Sequence, residues 1–165
     1  MTAHRYLVAL GSNVRHPRYG PPRRVIAAAL GELEAAGAWI VARSAMFDTA
    51  PLGPSNRRYA NAAAVIESAL PPEEMLSALQ RIEHAFGRRR RGRRWRARVL
   101  DLDLVLWSGG SHRTERLTIP HPEFRRRTFV LAPAAAIAPR WRDPATGLTP
   151  RHLHARLTRP RPLPR

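Results

Sequence analysis

A chain of 165 residues with 44% hydrophobic content is long enough for one domain around one core, and too apolar to be disordered throughout. It contains no cysteine, which excludes disulfides and thiolate chemistry, and no apolar run near the roughly 18 residues needed to span a bilayer. The formal charge of +17 is carried by arginine alone, since no lysine occurs. That balance favours polyanionic partners, either nucleic acid or a nucleoside triphosphate, although an Arg-, Ala- and Pro-rich composition accounts for many surface arginines by itself.

In chain order, Tyr6 to Leu10 is an apolar run ended by Gly11-Ser12-Asn13, the pattern of a buried strand entering a tight turn. The run meets Gly11 too soon to be a secretory signal, so a cytoplasmic location is expected. Residues 14 to 22 are rich in Pro and Arg and read as a loop. Ile26, Leu30 and Leu33 then recur at helical spacing, with Gly37 as the stop. Trp39 to Phe47 is strand-like, 49 to 54 is a Pro/Gly loop, and Tyr59 to Leu70 reads as a further strand. Pro71-Pro72-Glu73-Glu74 opens a second helix, because proline is tolerated in a first turn and carboxylates there complement the helix dipole. Met75, Leu79, Ile82 and Phe86 form its buried stripe, and Gly87 ends it. Val99 to Trp107 is a strong strand. A third helix is expected from about Arg126 to Ala132, stopped by Pro133. Residues 1–158 read as one domain and 159–165 as a disordered Pro/Arg-rich tail. The order strand, helix, strand, strand, helix, strand is that of a ferredoxin-like βαββαβ sandwich of the α+β class. Its antiparallel sheet has helices packed on one face.

The most informative segment is Val99-Leu100-Asp101-Leu102-Asp103-Leu104-Val105-Leu106. Side chains alternate across a strand, so the leucines share one face and Asp101 and Asp103 the other, with Cα atoms roughly 6.5–7 Å apart. Two carboxylates so placed can hold magnesium, which is content with few protein oxygens and takes the rest from water and phosphate. An ordinary wet sheet face would also show this alternation. Aspartate is disfavoured in strands, however, and the pair follows a basic run, Gly87 to Arg98, in which eight of twelve residues are arginine. Guanidinium groups and a cation together can neutralise a transferring phosphoryl group. Charge repulsion predicts that this loop is mobile without ligand.

Gly87-Arg88-x-Arg90-x4-Trp95-x2-Arg98-x2-Asp101-Leu102-Asp103 resembles the signature of the 6-hydroxymethyl-7,8-dihydropterin pyrophosphokinases. Six further segments fall in that family's order. They are Ala9 to Asn13, Thr49 to Pro54, Tyr59 to Ala62, Gln80 to Glu83, Arg116 to Pro122, and Arg127 to Pro133. The resemblance covers about residues 5–140 and implies transfer of the β,γ-diphosphate of ATP to the pterin hydroxymethyl group, with release of AMP, in folate biosynthesis. It further implies that Asp101 and Asp103 hold two magnesium ions and that Arg88 and Arg98 assist catalysis at the phosphates. Gln80, Glu83, Arg90, Trp95, Arg98, Leu104, Arg116, Thr118, His121 and Arg127 would make the ATP site. Thr49, Leu52, Tyr59, Asn61, Trp95 and Phe129 would make the pterin site. Gln80 and Glu83 are expected on the helix face opposite its buried stripe. The implied partners are ATP and the pterin, with no nucleic acid or membrane, and the implied state is a monomer. Arg96-Ala97 stands where the family has Gly-Pro, which changes the backbone options just before Arg98.

Other readings stay open on the residues alone. An RNA-recognition domain shares the element order and suits the charge, but no strand carries its aromatic RNP1 pattern. A metal-dependent nuclease could use the same aspartates. A degenerate homologue could bind pterin without turnover.

Overall fold

The computed structural model describes residues 2–50, 58–87 and 99–164. Strand β1 (His4–Ser12) leads to helix α1 (Pro22–Ala35), strands β2 (Trp39–Arg43), β3 (Phe47–Thr49) and β4 (Tyr59–Ser68), helix α2 (Pro72–Ala85) and strand β5 (Asp101–Trp107). A small hairpin of β6 (His112–Arg113) and β7 (Thr118–Ile119), a 3-10 turn at Phe124–Arg126, and helices α3 (Thr128–Ile137) and α4 (Pro150–Thr158) follow. The main sheet runs β2-β4-β1-β5 with every pairing antiparallel, and β3 adds to the free length of β4. This is the ferredoxin-like order expected from the sequence. The strand-like stretch 39–47 divides into β2 and β3 because Ser44 leaves the ladder, its backbone N–H donating to the Ala63 carbonyl and its hydroxyl accepting from the Ala63 N–H.

β1 is an interior strand of the sheet and is buried on both faces, which is why it reads as a continuous apolar run rather than an alternation. Tyr6, Val8 and Leu10 join Ile26, Leu33, Met75 and Leu79 of α1 and α2 in one cluster. Leu7 joins Val65, Val105, Val130 and Leu131 in a second cluster on the opposite face. The two helices of the βαββαβ plan thus share one face, as expected, while α3 and α4 cover part of the other. α1 and α2 each begin at a Pro-Pro pair and are followed by a glycine at φ +88° (Gly37) and +93° (Gly87), a backbone region that side chains disfavour.

α3 runs through Pro133 to Ile137 instead of stopping at Ala132. Proline there removes one bond, to the Phe129 carbonyl, and adds ring strain of about 3 kcal/mol. Val130, Leu131 and Ala134 are buried at 5%, 0% and 1% exposure, and their burial against the sheet outweighs that cost. α4 lacks the usual sequence signal for a helix start, because its capping box pairs Thr149 with His152 where Glu or Gln is customary. Between α3 and α4, Asp143 accepts two hydrogen bonds from Arg125, at 2.6 and 2.7 Å, and others from the Thr146 hydroxyl and the Ala145 N–H. Burial works against the Asp143 anion, but these donors overcome it and hold the carboxyl below its ordinary range.

Candidate active site

α3 and α4 cover only one end of their face of the sheet. At the other end, antiparallel register sets Asn61 of β4, Gly11 of β1 and Asp101 of β5 side by side, with Ala63, Ala9 and Asp103 as the next such row. The residues of β1 in both rows are small, so the sheet there forms a floor between polar groups. An added Cβ at Gly11 would stand 3.2 Å from the Asn61 amide oxygen, closer than a real side chain tolerates without a shift. Asn61 itself is oriented by donating 2.7 Å to the Thr49 hydroxyl of β3. Tyr59 lies opposite Thr49 in the β3–β4 register. Phe129, at the start of α3, packs partly buried against the second core cluster, as do Ala9 and Ala42. Four of the residues assigned to the pterin, Thr49, Tyr59, Asn61 and Phe129, therefore belong to neighbouring elements at one end of one face. An amide edge and an aromatic ring are the groups a flat heterocycle requires.

Asp101 and Asp103 are half-buried on this face, while Leu100, Leu102 and Leu104 point into the first core cluster. Leu104, at 3% exposure, therefore presents no side chain to the aspartate face. His121 reaches Asp103 from the other side. Its backbone N–H donates to the Val105 carbonyl, and its Nδ1 accepts the Glu123 N–H at 3.1 Å, so the ring proton sits on Nε2, 3.9 Å from the Asp103 carboxylate. Burial, reinforced by the Arg127 charge, holds the imidazole below its ordinary pKa of 6.5, against an opposing pull from Asp101 and Glu123. Arg127 stands 4.0 Å from the same carboxylate, with its guanidinium 5.7 Å from the Phe129 ring centre. Among the described residues no group of three His, Cys, Asp or Glu could enclose a metal. Asp101 and Asp103 could supply two hard oxygen donors, a number that fits magnesium sharing its remaining positions with phosphate and water.

The wall beside β5 is built from α2 and the β6–β7 hairpin. Gln80 is half-buried, but Glu83 is not on an open helix face: it is 4% exposed, beside Ile82. The expected placement opposite the buried stripe therefore fails for Glu83, since a residue next to a stripe member is turned only about 100° from it. Thr118 lies in β7, and Arg116 precedes it in the hairpin turn. Residues that sequence reading did not connect to the site complete this wall. Glu73 in the first turn of α2 accepts hydrogen bonds from Thr114 and from His112 Nε2, and these hold its carboxyl below the ordinary range. Nothing in the local sequence ties Glu73 to residues some forty positions away. Leu52, Arg88, Arg90, Trp95 and Arg98, together with the arginine loop expected to be mobile, lie outside the described residues. No described helix is long and apolar enough to cross a membrane.

A family model described as 7,8-dihydro-6-hydroxymethylpterin-pyrophosphokinase matches residues 7–139. A 2-amino-4-hydroxy-6-hydroxymethyldihydropteridine pyrophosphokinase of Haemophilus influenzae is 40% identical over 132 residues, which is 79% of each chain. One of the same name from Synechocystis is 38% identical over 147 residues, 88% of this chain and 72% of its own. Among solved structures, a Plasmodium falciparum HPPK-DHPS complex with pteroate superposes with a TM-score of 0.74 at 12% identity, covering 94% of this chain. That likeness concerns the fold, and this chain spans 44% of the length of that longer one. The RNA-binding alternative is not favoured by these relatives. The chain belongs to the 7,8-dihydro-6-hydroxymethylpterin-pyrophosphokinase family, enzymes that transfer a diphosphate from ATP to the hydroxymethyl-dihydropterin of folate biosynthesis.

Proposed function

We propose that this chain carries out that transfer with Asp101 and Asp103 holding two magnesium ions against the phosphate chain of ATP. The observation that supports the reading is the row Asn61–Gly11–Asp101, which sets an amide suited to a heterocycle edge beside a carboxylate suited to a hard cation on one strand floor. The pterin lies on the Asn61 side, oriented by Thr49, Tyr59 and Phe129, with Leu52 and Trp95 assigned by resemblance. The nucleotide lies on the other side, lined by Gln80, Glu83, Arg116, Thr118, His121 and Arg127, and by Arg88, Arg90, Trp95 and Arg98 of the preceding loop. Neutral His121 offers its Nε2–H as a hydrogen-bond donor to phosphate without adding charge.

The pterin hydroxymethyl oxygen attacks the β-phosphorus of ATP. The bond from that phosphorus to the oxygen bridging to the α-phosphate breaks, and AMP leaves with that oxygen. The hydroxyl proton is lost to solvent. Magnesium, when bound, lowers the charge of the phosphate chain and acidifies the hydroxyl. We read residues 1–158 as the catalytic domain, 159–165 as a tail, and the protein as a cytoplasmic monomer.

Incubation with ATP, magnesium and the hydroxymethyl pterin, followed by nucleotide separation, is expected to give AMP stoichiometric with pterin diphosphate. ADP would indicate an ordinary kinase, and pterin binding without nucleotide cleavage a degenerate homologue. A Gly11→Ala change should push the Asn61 amide aside and raise the Kd for pterin about tenfold, with a smaller effect on nucleotide. Calorimetric titration checks this, and an unchanged Kd would remove Asn61 from the pterin site.

A further inference from the structure

Glu73 lies outside every residue set discussed so far as binding a substrate, yet it gathers three side chains of the β6–β7 hairpin. Its Oε1 accepts from Thr114 and from His112, the latter at 3.1 Å. Thr114 in turn accepts the backbone N–H groups of Arg116, at 3.3 Å, and Leu117, at 3.1 Å, so this oxygen fixes the turn that carries Arg116. The second oxygen, Oε2, is shielded from solvent and accepts no hydrogen bond among the described residues. Its compensating charge is the Arg116 guanidinium, with Nη1 at 3.6 Å. Nη2 of Arg116 donates 3.3 Å to the Ser77 hydroxyl, and that hydroxyl donates to the Glu73 carbonyl. One turn of α2 therefore holds both the backbone and the head group of Arg116.

We propose that Glu73 is the positioning residue for Arg116, fixing one fork of an otherwise long, mobile side chain so that it faces the phosphate chain of ATP. The proposal rests on the assignment of Arg116 to the nucleotide site. Arginine loses much conformational freedom when it binds an anion, and a counter-ion that fixes it beforehand removes that cost from nucleotide binding. The counter-ion also weakens the local positive field, but a half-exposed pair in contact with solvent is screened, so the ordering effect dominates. The coupling is reciprocal, because without Arg116 the Oε2 atom loses the guanidinium 3.6 Å away.

Glu73→Gln tests the point, because the amide oxygen can still accept from Thr114 and His112 while its NH2 group faces Arg116 and releases it. The expected result is a rise of about tenfold in KM for ATP, with kcat within about twofold and KM for pterin unchanged. Equilibrium titration with a non-hydrolysable ATP analogue should show the same loss. In an Arg116→Ala background the Glu73→Gln change should have no further effect. Wild-type nucleotide affinity in Glu73→Gln, or an equal loss in both backgrounds, would overturn the proposal. Arg116→Ala with wild-type nucleotide affinity would remove the assignment on which it rests. Absence of AMP release from the wild type would count instead against the diphosphate-transfer reading. A thermal unfolding midpoint measured alongside separates positioning from loss of fold, and Glu73→Ala, which deletes all three contacts, should lower that midpoint where Glu73→Gln does not.

Discussion

An Asp103→Ala enzyme is expected to lose diphosphate transfer by on the order of a thousandfold while keeping its fold. On the proposed assignment, the change removes one of two carboxylate ligands of a metal-assisted phosphoryl transfer, worth several kcal/mol of charge stabilisation, where about 4 kcal/mol is a factor of 1000. The fold should survive because Asp103 is only half-buried on an open face, while its neighbours Leu102 and Leu104 carry the packing of β5. The change also deprives Arg127 of an anion at 4.0 Å and His121 of one at 3.9 Å, partly exposed pairs worth about 1 kcal/mol or less to stability. Asp103→Asn keeps the shape and should fail equally, and wild-type activity should vanish when magnesium is chelated. AMP release over a magnesium titration, beside a thermal unfolding curve, measures both halves of the expectation. Full turnover in either variant would discard the metal role of this strand.

The second large effect is structural. Asp143→Ala should destabilise the protein by about 3 kcal/mol, the lower end for breaking a buried ion pair, because Arg125 keeps part of its solvent contact. Asp143 has a fully buried side chain and collects both Arg125 nitrogens, a hydroxyl and a backbone N–H, so its loss frees four donors at once. The pH dependence has a definite sign. The folded pKa lies below the ordinary carboxylate value, so the native state favours the anion. Its stabilisation is complete above that ordinary value, near pH 4, and is lost as pH falls toward the folded pKa. The wild type should therefore lose stability over that acid range more steeply than the variant. Denaturant unfolding at pH 7 and on the acid limb provides the comparison. Equal stability at pH 7 would mean that the segment between α3 and α4 does not need this anchor.

Much of this protein was legible in its residues. The βαββαβ order followed from apolar periodicity and from Pro-Pro and Gly punctuation, which are local signals of the kind that backbone sterics impose. The aspartate pair was legible for the same reason: alternation along one strand requires no knowledge of any partner. The arginine loop and the six segments in family order pointed to the chemistry by residue type and spacing alone.

Other features depended on elements distant in the chain. Register, set by pairing β1 with both β4 and β5, decided that Asn61 and Asp101 flank the same glycine. The placement of α3 on the second face, with Pro133 retained inside it, depended on burial against a sheet that the helix sequence does not contain. Glu83 went into the wall rather than onto an open face for the same reason. The Glu73 network links a helix start to a hairpin some forty residues on, and Asp143 reaches back to Arg125. Periodicity and capping act within a few residues and can be read in one dimension. Desolvated charges find their partners by proximity in space, and only the packed sheet and helices bring these together.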